Sequence, residues 1–299
     1  TLSNFLLHTG LDLEDIYSVN SGWSELCERA GLPTLNSGAE EVALRRAIGR
    51  LLHFDDSERI DFLEWFTDKQ PTINDAFNER SQRLARMLLS QLCEQVSVSS
   101  LPKTATLNDA AHLLWQHPQV VAELQQLAPV LRTRIDHNHA WLEARTDVPL
   151  QIHAEYTRRE ILAAFGHGEG PRTATWQSGV FWLPDAKADL FAVTLDKSSG
   201  SFSPTTRYHD YAISRDLFHW ESQSVTAAAS PTGMRYQQHS ELGSDIYIFT
   251  RLRTDNRAFR FLGPATYVRH EGERPMAITW KLHTPLPADL YTSFAVAVA

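Results

Sequence analysis

The sequence contains only two cysteines, Cys27 and Cys93, among 299 residues. Two thiols in separate helix-like patterns give no disulfide framework and no CxxC metal motif, so burial among apolar side chains is expected for both. No apolar run approaches the roughly 18 residues of a membrane-spanning helix, and no charged-then-apolar leader is present. We therefore expect a cytoplasmic protein with no membrane partner. From the first residue, Thr1, and the abrupt end in AVAVA we expect a piece of a longer protein or a processed chain.

Common catalytic motifs are absent as well. The sequence has no GxxxxGK[ST], GxSxG or HExxH pattern and no Cys/His spacing typical of zinc, so no metal, cofactor or catalytic residue is expected. Residues 137–139 spell HNH, but they lie in a predicted helical stretch, which favours a polar helix face over a nuclease site. Asp185 and Lys197 faintly resemble a PD-(D/E)xK nuclease. Because Asp196 is directly adjacent to Lys197, the acidic-x-Lys triplet that would bring them to one metal is missing.

The charge is unevenly divided along the chain. Residues 1–150 carry 13 Lys and Arg against 21 Asp and Glu, a net −8, whereas residues 151–299 carry 15 of each sign. A neutral half does not attract nucleic acid by its overall field, since non-specific affinity comes from neutralising phosphates. Twelve of its 15 cations are Arg, which favours planar, bidentate contacts. Nucleic-acid binding by this half therefore requires a local, Arg-containing surface.

The first half of the sequence reads as helices. The segment EEVALRRAIGRLLHF repeats apolar residues at an approximate period of 3.6. Thr106 and Pro118 are typical of the start of two further helices. The segment TDVPL, residues 146–150, indicates a boundary. We therefore predict a helical connector domain over residues 1–148 and a β-rich domain over residues 149–299.

The second half begins with one predicted helix, YTRREILAAFG, which Gly166 ends. The period then changes to two in eight short segments rich in aromatic and β-branched residues: SGVFWL, ADLFAVTL, DYAI, LFHWES, DIYIFTRLR, AFRFLG, ATYVRHE and AITWKLH. Residues 222–241 read as a long loop, a kind of segment that often carries function. The fold class is therefore α+β, in which an all-helical half precedes a compact, curved, mostly antiparallel sheet or barrel.

One segment, RYHDYAISRDLFHWESQS at residues 207–224, combines flat rings with polar side chains. If it forms two strands, alternation puts Asp210 and Tyr211 on opposite faces. It likewise separates Trp220 from Glu221. A core strand with a solvated polar face and a pocket for a flat polar ligand both remain open on this pattern.

Three segments, SFSPTTRYHDYAISRDLFHWESQS, SPTGMRYQQHSELGSDIYIFTR and FLGPATYVRHEGERPMAITWKL, resemble a known domain family. It forms the C-terminal part of bacterial superfamily II helicase proteins, as in SauUSI-type (phospholipase-D nuclease–helicase–reader) modification-dependent type IV restriction enzymes. The resemblance covers roughly residues 150–285. It implies that residues 149–299 recognise DNA carrying 5-methylcytosine or 5-hydroxymethylcytosine, in a bacterial protein of phage defence. The nuclease and helicase motifs are absent from this chain, so those activities belong to other domains of the parent protein.

The chemistry of a base-flipping reader suggests roles for the segment. Flipping costs a few kcal/mol of stacking, which aromatic rings and edge hydrogen bonds offset. The expected base-binding residues are Tyr208, Tyr211 and Trp220 as stacking walls, Asp210 as the acceptor for the cytosine N4 amino group, Glu221 as the reserve acceptor, and Ser222 and Gln223 at the edge. The expected DNA-backbone contacts, or residues that fill the gap left by the base, are Arg207, Arg235 and Arg269.

A second hypothesis comes from a different class of protein. The acidic helical half repels DNA and suits a basic protein partner, which favours a regulatory or interaction module that couples the helicase and nuclease parts. In both hypotheses we expect this chain itself not to be an enzyme, while its parent is an ATP-dependent restriction endonuclease.

Overall fold

The computed structural model describes residues 1–18, 21–35, 38–74, 77–195 and 210–296. Contacts divide the chain into two units. The first consists of Thr1–Leu150 and Arg159–Thr175, and the second of Gln151–Arg158 and Trp176–Ala299. No helix among these described ranges is long and apolar enough to cross a membrane.

The first unit is built from helices, as the sequence predicts. Its elements are α1 Leu2–Thr9, α2 Leu13–Ile16, α3 Trp23–Arg29, α4 Glu41–Ile48, the 3₁₀ turn Gly49–Leu51, α5 Ser57–Lys69, α6 Glu79–Leu92, α7 Leu107–Trp115, α8 Pro118–Thr133, the short strand β1 Ala140–Trp141, and α9 Arg158–Ala164 from its second residue on. Helix α8 is central, because α1, α3, α4, α5 and α7 all contact it. Its apolar side chains, among them Val120, Leu124, Leu127 and Leu131, are fully buried.

The expected helix starts at Thr106 and Pro118 are confirmed. The Thr106 side chain caps α7 by accepting a hydrogen bond from the Asp109 N–H, and the Asp109 carboxylate accepts one from the Thr106 N–H. Pro118 is the first residue of α8. The helical assignment of residues 137–139 is wrong, since α8 ends at Thr133 and these residues are irregular.

The second unit contains a sheet whose strands match the predicted segments closely. Its strands are β3 Glu155–Thr157, β4 Val180–Leu183, β5 Ala188–Thr194, β6 Tyr211–Ala212, β7 Leu217–Glu221, β8 Asp245–Arg251, β9 Ala258–Glu271 and β10 Ala277–Leu282. The short strand β2, Gln151–Ile152, also belongs to this unit but lies outside this sheet. The order across the eight-stranded sheet is β4-β5-β8-β9-β10-β7-β6, with β3 paired to β9. Every described pair is antiparallel except β5–β8. The α+β class is confirmed, and the sheet is not closed into a barrel.

Two of the predicted strands, AFRFLG and ATYVRHE, form the single long strand β9. At its middle, Gly263 has a φ of +93° and the register with β8 shifts by one residue. A side chain at Gly263 would be strained at this φ, and its Cβ would lie 3.2 Å from the Ile152 side chain. Such a bulge lets a strand bend without ending. The two predicted strands therefore form one strand that continues through Gly263 and Pro264.

Residues 222–241, expected as a loop, contain helix α10, Pro231–Gln238. Ser230 caps it, because its hydroxyl accepts a hydrogen bond from the Gly233 N–H at 3.1 Å. Pro231 occupies the first helical position, where a missing N–H costs nothing. A second helix of this unit is α11, Ala288–Val296. Side chains from both helices join β5, β7, β8, β9 and β10 in one hydrophobic core.

Candidate nucleic-acid interface

Strand β7 separates its residues by face, as the alternation predicts. Phe218 and Trp220 are buried, whereas His219 and Glu221 are partly exposed. The buried pair lies in the hydrophobic core of the second unit. The polar side chains of this strand therefore project to the opposite face of the sheet. At β6, β7, β10 and the end of β9 this face is partly exposed, and we call this part the open face.

The strand register places four side chains in one row across the open face. Tyr211 of β6 pairs with His219 of β7, His219 with Thr279 of β10, and Thr279 with Arg269 of β9. Directly paired residues project to the same face. We call these four residues the Tyr211 row. Three strand spacings make it about 14 Å wide.

The two ends of the Tyr211 row differ chemically. At one end, the rings of Tyr211 and His219 are stacked, with centroids 4.8 Å apart and an interplanar angle of 16°. At the other end, the Arg269 side chain is exposed to solvent. Thr279 lies between them and is 8% exposed. The row thus presents a flat aromatic platform and a cation on one surface.

The flanking rows carry both signs of charge. On one side Ala277 pairs with Glu221 and Glu271. On the other side Lys281 pairs in register with Leu217, and its ammonium group forms an ion pair with the Asp216 carboxylate. The open face is therefore a mixed surface and not a strong positive field, so recognition here depends on local contacts.

Asp210 lies directly before β6 and is only 2% exposed. Its Oδ1 accepts a hydrogen bond from the backbone N–H of Glu221 at 2.9 Å. This bond ties together two of the residues expected to read the cytosine edge. It also fixes the Asp210 carboxylate beside the end of β7.

Trp220 lies in the core instead of on the open face, with 5% of its surface exposed. Its ring centroid is 4.4 Å from that of Phe191 and 5.7 Å from that of Tyr236. Stacking on a base requires an open ring face, which this position does not offer. The stacking role expected for Trp220 would require its ring to leave the core.

Ser222 and Gln223 lie beyond the end of β7. Ser222 is fully buried, and its hydroxyl donates to the Thr226 carbonyl at 3.2 Å and accepts from the Met276 N–H at 2.9 Å. These bonds hold the chain where it leaves the strand. Gln223 is partly exposed, and its Nε2 lies near Gly179, beside β4.

Arg235 of α10 binds a carboxylate within its own unit. Its Nε and Nη2 donate to Oδ2 and Oδ1 of Asp189 at 2.7 and 2.8 Å. Its guanidinium also lies over Trp182, 4.2 Å from the ring centroid, and Trp182 pairs with Asp189 in the β4–β5 register. Burial raises the pKa of the Asp189 carboxyl, and the Arg235 bonds oppose this rise. The expected phosphate contact of Arg235 gains no support from this geometry, because its charge is already neutralised.

The remaining expected residues, Arg207 and Tyr208, lie outside the described residues. The structure brings Tyr211 and Arg269 into one row through His219 and Thr279, two residues that are not among the expected site residues. Strand pairing supplies this link, and no local pattern in the sequence reveals it. Among the described residues, no group of three or more His, Cys, Asp or Glu side chains is arranged to hold a metal ion.

One family model matches part of the chain. Residues 150–294, a little under half of the chain, match the model of the family described as "Domain of unknown function (DUF3427)". No curated protein matches the chain.

Two solved structures show a distant likeness. One is the DNA modification-dependent restriction endonuclease AspBHI, with 14% identity, coverage of 50% of this chain and 83% of that chain, and a TM-score of 0.28. The other is Arabidopsis thaliana SUVH6 in complex with SAM, with 9% identity, coverage of 78% and 41%, and a TM-score of 0.32. At these scores neither likeness carries an argument about the function of this chain.

Proposed function

We propose that the second unit binds DNA carrying 5-methylcytosine or 5-hydroxymethylcytosine, and that the Tyr211 row is part of its DNA-binding surface. The observation that carries the proposal is the row itself, in which a stacked Tyr–His pair and an exposed Arg share one sheet face. The resemblance of residues 150–285 to modification-dependent restriction enzymes supports the same conclusion. In this proposal the helicase and nuclease of the parent protein act on the DNA that this unit binds.

Each end of the row has a distinct role in this proposal. The Tyr211–His219 stack offers a platform for an unstacked base, and such stacking contributes about 1–3 kcal/mol per base. The Arg269 guanidinium binds a backbone phosphate through parallel N–H donors. The stack therefore contacts the base, and the Arg269 guanidinium contacts the DNA backbone independently of the base sequence.

The buried carboxylate of Asp210 is the acceptor proposed for the cytosine N4 amino group, and Glu221 is the second acceptor. A carboxylate suits this amino donor because the ionised group only accepts hydrogen bonds. Asp210 directly precedes Tyr211, and its bond to the backbone N–H of Glu221 fixes the carboxylate at the edge of the β6–β7 pair, where the proposal places the amino group of the flipped base. In this proposal the flipped base therefore contacts Asp210 and Tyr211 near one end of the segment 207–224 and Glu221 near the other.

A binding titration tests the proposal. Matched duplexes with one central cytosine, unmodified, 5-methylated or 5-hydroxymethylated, are titrated with the protein and followed by fluorescence anisotropy at one fixed salt concentration. We expect tighter binding to at least one modified duplex. Equal affinity for all three would overturn the proposed recognition of modified cytosine.

The variants Arg269→Gln and Arg253→Gln form a matched pair in the same titration. Arg253 is also exposed, but it pairs with Asp255 at 3.5 Å and lies outside the Tyr211 row. Arg269→Gln is expected to weaken binding to all duplexes about equally and to reduce the salt slope by about one. Arg253→Gln is expected to leave both unchanged. Identical behaviour of the two variants would remove Arg269 from the interface.

A second candidate function rests on the first unit. Trp141 is 55% exposed and lines a cavity of about 470 Å³ with Glu58 and Arg80. An exposed Trp beside a cavity suits a protein contact, in keeping with an interaction module that couples the helicase and nuclease parts. This candidate would be favoured if the protein bound the isolated helicase part but no DNA. Trp141→Ala would then be expected to abolish the binding to the helicase part.

A further inference from the structure

Two arginines of the second unit lie against one aromatic ring. Arg158 directly follows β3, Arg251 ends β8, and Phe259 is the second residue of β9. The Arg251 Cζ is 4.5 Å and the Arg158 Cζ is 5.3 Å from the centroid of the Phe259 ring. Because β3 and β8 both pair with β9, the sheet itself holds the two cations together.

Neither guanidinium forms an ion pair with a carboxylate of the described residues. Arg158 donates to the carbonyls of Trp176 and Ser178, each at 3.2 Å. Arg251 donates to the Thr194 hydroxyl at 3.0 Å and to the carbonyl of Asn256. These neutral acceptors orient the two groups but leave both positive charges uncompensated.

The acid that acts on Arg251, Asp255, forms no ion pair with it. The negative charge of Asp255 acts on Arg251 from a distance, but its carboxylate is engaged by Arg253. Burial, together with the charge of Arg251, lowers the pKa of Arg158 to about 10. Burial also lowers the pKa of Arg251. Two partly buried cations that repel each other favour an anion between them.

Two buried N–H donors in the same cluster lack a partner among the described residues. They are Nε of Arg158 and Nε1 of Trp176, whose ring centroid is 5.4 Å from the Arg158 Cζ. Trp176 is only 5% exposed, so its indole N–H is withdrawn from water. Buried donors are almost always satisfied in folded proteins. Two cations without a carboxylate partner, together with two unpartnered N–H donors, have the chemistry of an anion site.

We propose that Arg158, Arg251 and Trp176 bind one phosphate group, which in the function proposed above is a backbone phosphate of the DNA. A phosphate supplies several acceptor oxygens, and guanidinium groups bind such oxygens through pairs of parallel N–H donors. The Arg251 Nη2, the Arg158 Nε and the Trp176 Nε1 are the donors assigned to it. The Phe259 ring holds the two cations in position.

The anion site is tested first with inorganic phosphate and no DNA. The protein labelled with ¹⁵N is titrated with sodium phosphate at constant ionic strength, with chloride as the exchanged ion. The side-chain N–H signals of Arg158, Arg251 and Trp176, assigned by Arg158→Gln, Arg251→Gln and Trp176→Phe, are expected to shift and saturate. Arg251→Gln is expected to abolish the saturable shift of the Trp176 signal. Shifts that remain linear in the wild-type protein would overturn the site, whatever the variants do.

The source of the phosphate is tested with duplex DNA in a salt series. Arg251→Gln is expected to reduce the slope of log affinity against log salt by about one, and the exposed control Arg253→Gln to leave it unchanged. Saturable phosphate shifts with an unchanged slope would keep the anion site and overturn the DNA contact. Because the phosphate titration needs no DNA, it tests the anion site independently of the proposed recognition of modified cytosine.

Discussion

The ring of Tyr211 stacks on the ring of His219 across the β6–β7 pair, with centroids 4.8 Å apart. The two residues are directly paired in register, so the backbone of the sheet fixes their separation. The planes lie within 16° of each other, which orients Tyr211 before any ligand arrives. A preoriented ring loses less conformational entropy on binding a base than a free one.

The variant Tyr211→Ala is therefore expected to weaken binding to the preferred modified duplex by about 1–3 kcal/mol. Tyr211→Phe keeps the ring and is expected to bind within a small factor of the wild-type protein. Both affinities are measured by the anisotropy titration, with urea unfolding as a check on folding. Equal losses in the two variants would point to the phenol hydroxyl instead of the ring.

The sequence predicts the strands of the second unit well because each has a clear period of two. The alternation in LFHWE correctly separates Phe218 and Trp220 from His219 and Glu221. It does not say which strand lies beside which. The connection between Tyr211 and Arg269 passes through two intervening strands, β7 and β10, so pairing partners distant in sequence create the row.

Composition alone also does not distinguish a ligand-binding aromatic from a core aromatic. Tyr211 and Trp220 are both aromatic residues of the same segment, but only Tyr211 lies on the open face, whereas Trp220 packs in the core against Phe191 of β5 and Tyr236 of α10. The role of Arg235 was equally hidden, since its partner Asp189 lies 46 residues away. Ser230 and Pro231 are a recognisable start signal for helix α10 within the segment that otherwise reads as a loop.

The core position of Trp220 leads to a prediction about stability. Trp220→Ala is expected to reduce the free energy of unfolding of the second unit by about 3–5 kcal/mol, because it leaves a cavity beside Phe191 and Tyr236. The neighbouring Glu221→Ala, on the open face, serves as the control and is expected to change it by less than about 0.5 kcal/mol. Urea unfolding followed by circular dichroism measures both. A Trp220→Ala variant as stable as Glu221→Ala would place the ring outside the core.

The Asp189–Arg235 pair gives a second prediction about stability. Arg235→Leu leaves the Asp189 carboxylate buried without its partner, and breaking a buried pair in this way costs about 3–5 kcal/mol. Since the Arg235 side chain is 21% exposed, the loss is expected near the lower end. The double variant Asp189→Leu/Arg235→Leu is expected to recover part of it. A double variant whose loss equals the sum of the two single losses would show that the pair is not coupled.

His239 predicts how the stability of the second unit changes with pH. It is 5% exposed, its Nε2 accepts a hydrogen bond from the Tyr267 N–H at 3.1 Å, and its Nδ1 lies 3.1 Å from the Ser244 carbonyl. An imidazole that accepts at Nε2 and donates at Nδ1 is neutral. Burial lowers the pKa of His239, and the hydrogen bond to the Ser244 backbone and the charges of Asp245 and Asp189 oppose this only in part.

A histidine whose pKa is lower in the folded than in the unfolded state binds fewer protons when folded. The stability it supports is complete above the unfolded pKa of about 6.5 and is lost as the pH falls below that value. We therefore expect the free energy of unfolding to drop between about pH 7.5 and pH 5. His239→Gln keeps a donor and an acceptor without a titrating group, so its drop is expected to be smaller. A drop that His239→Gln leaves as large as in the wild-type protein would assign the pH dependence to other groups.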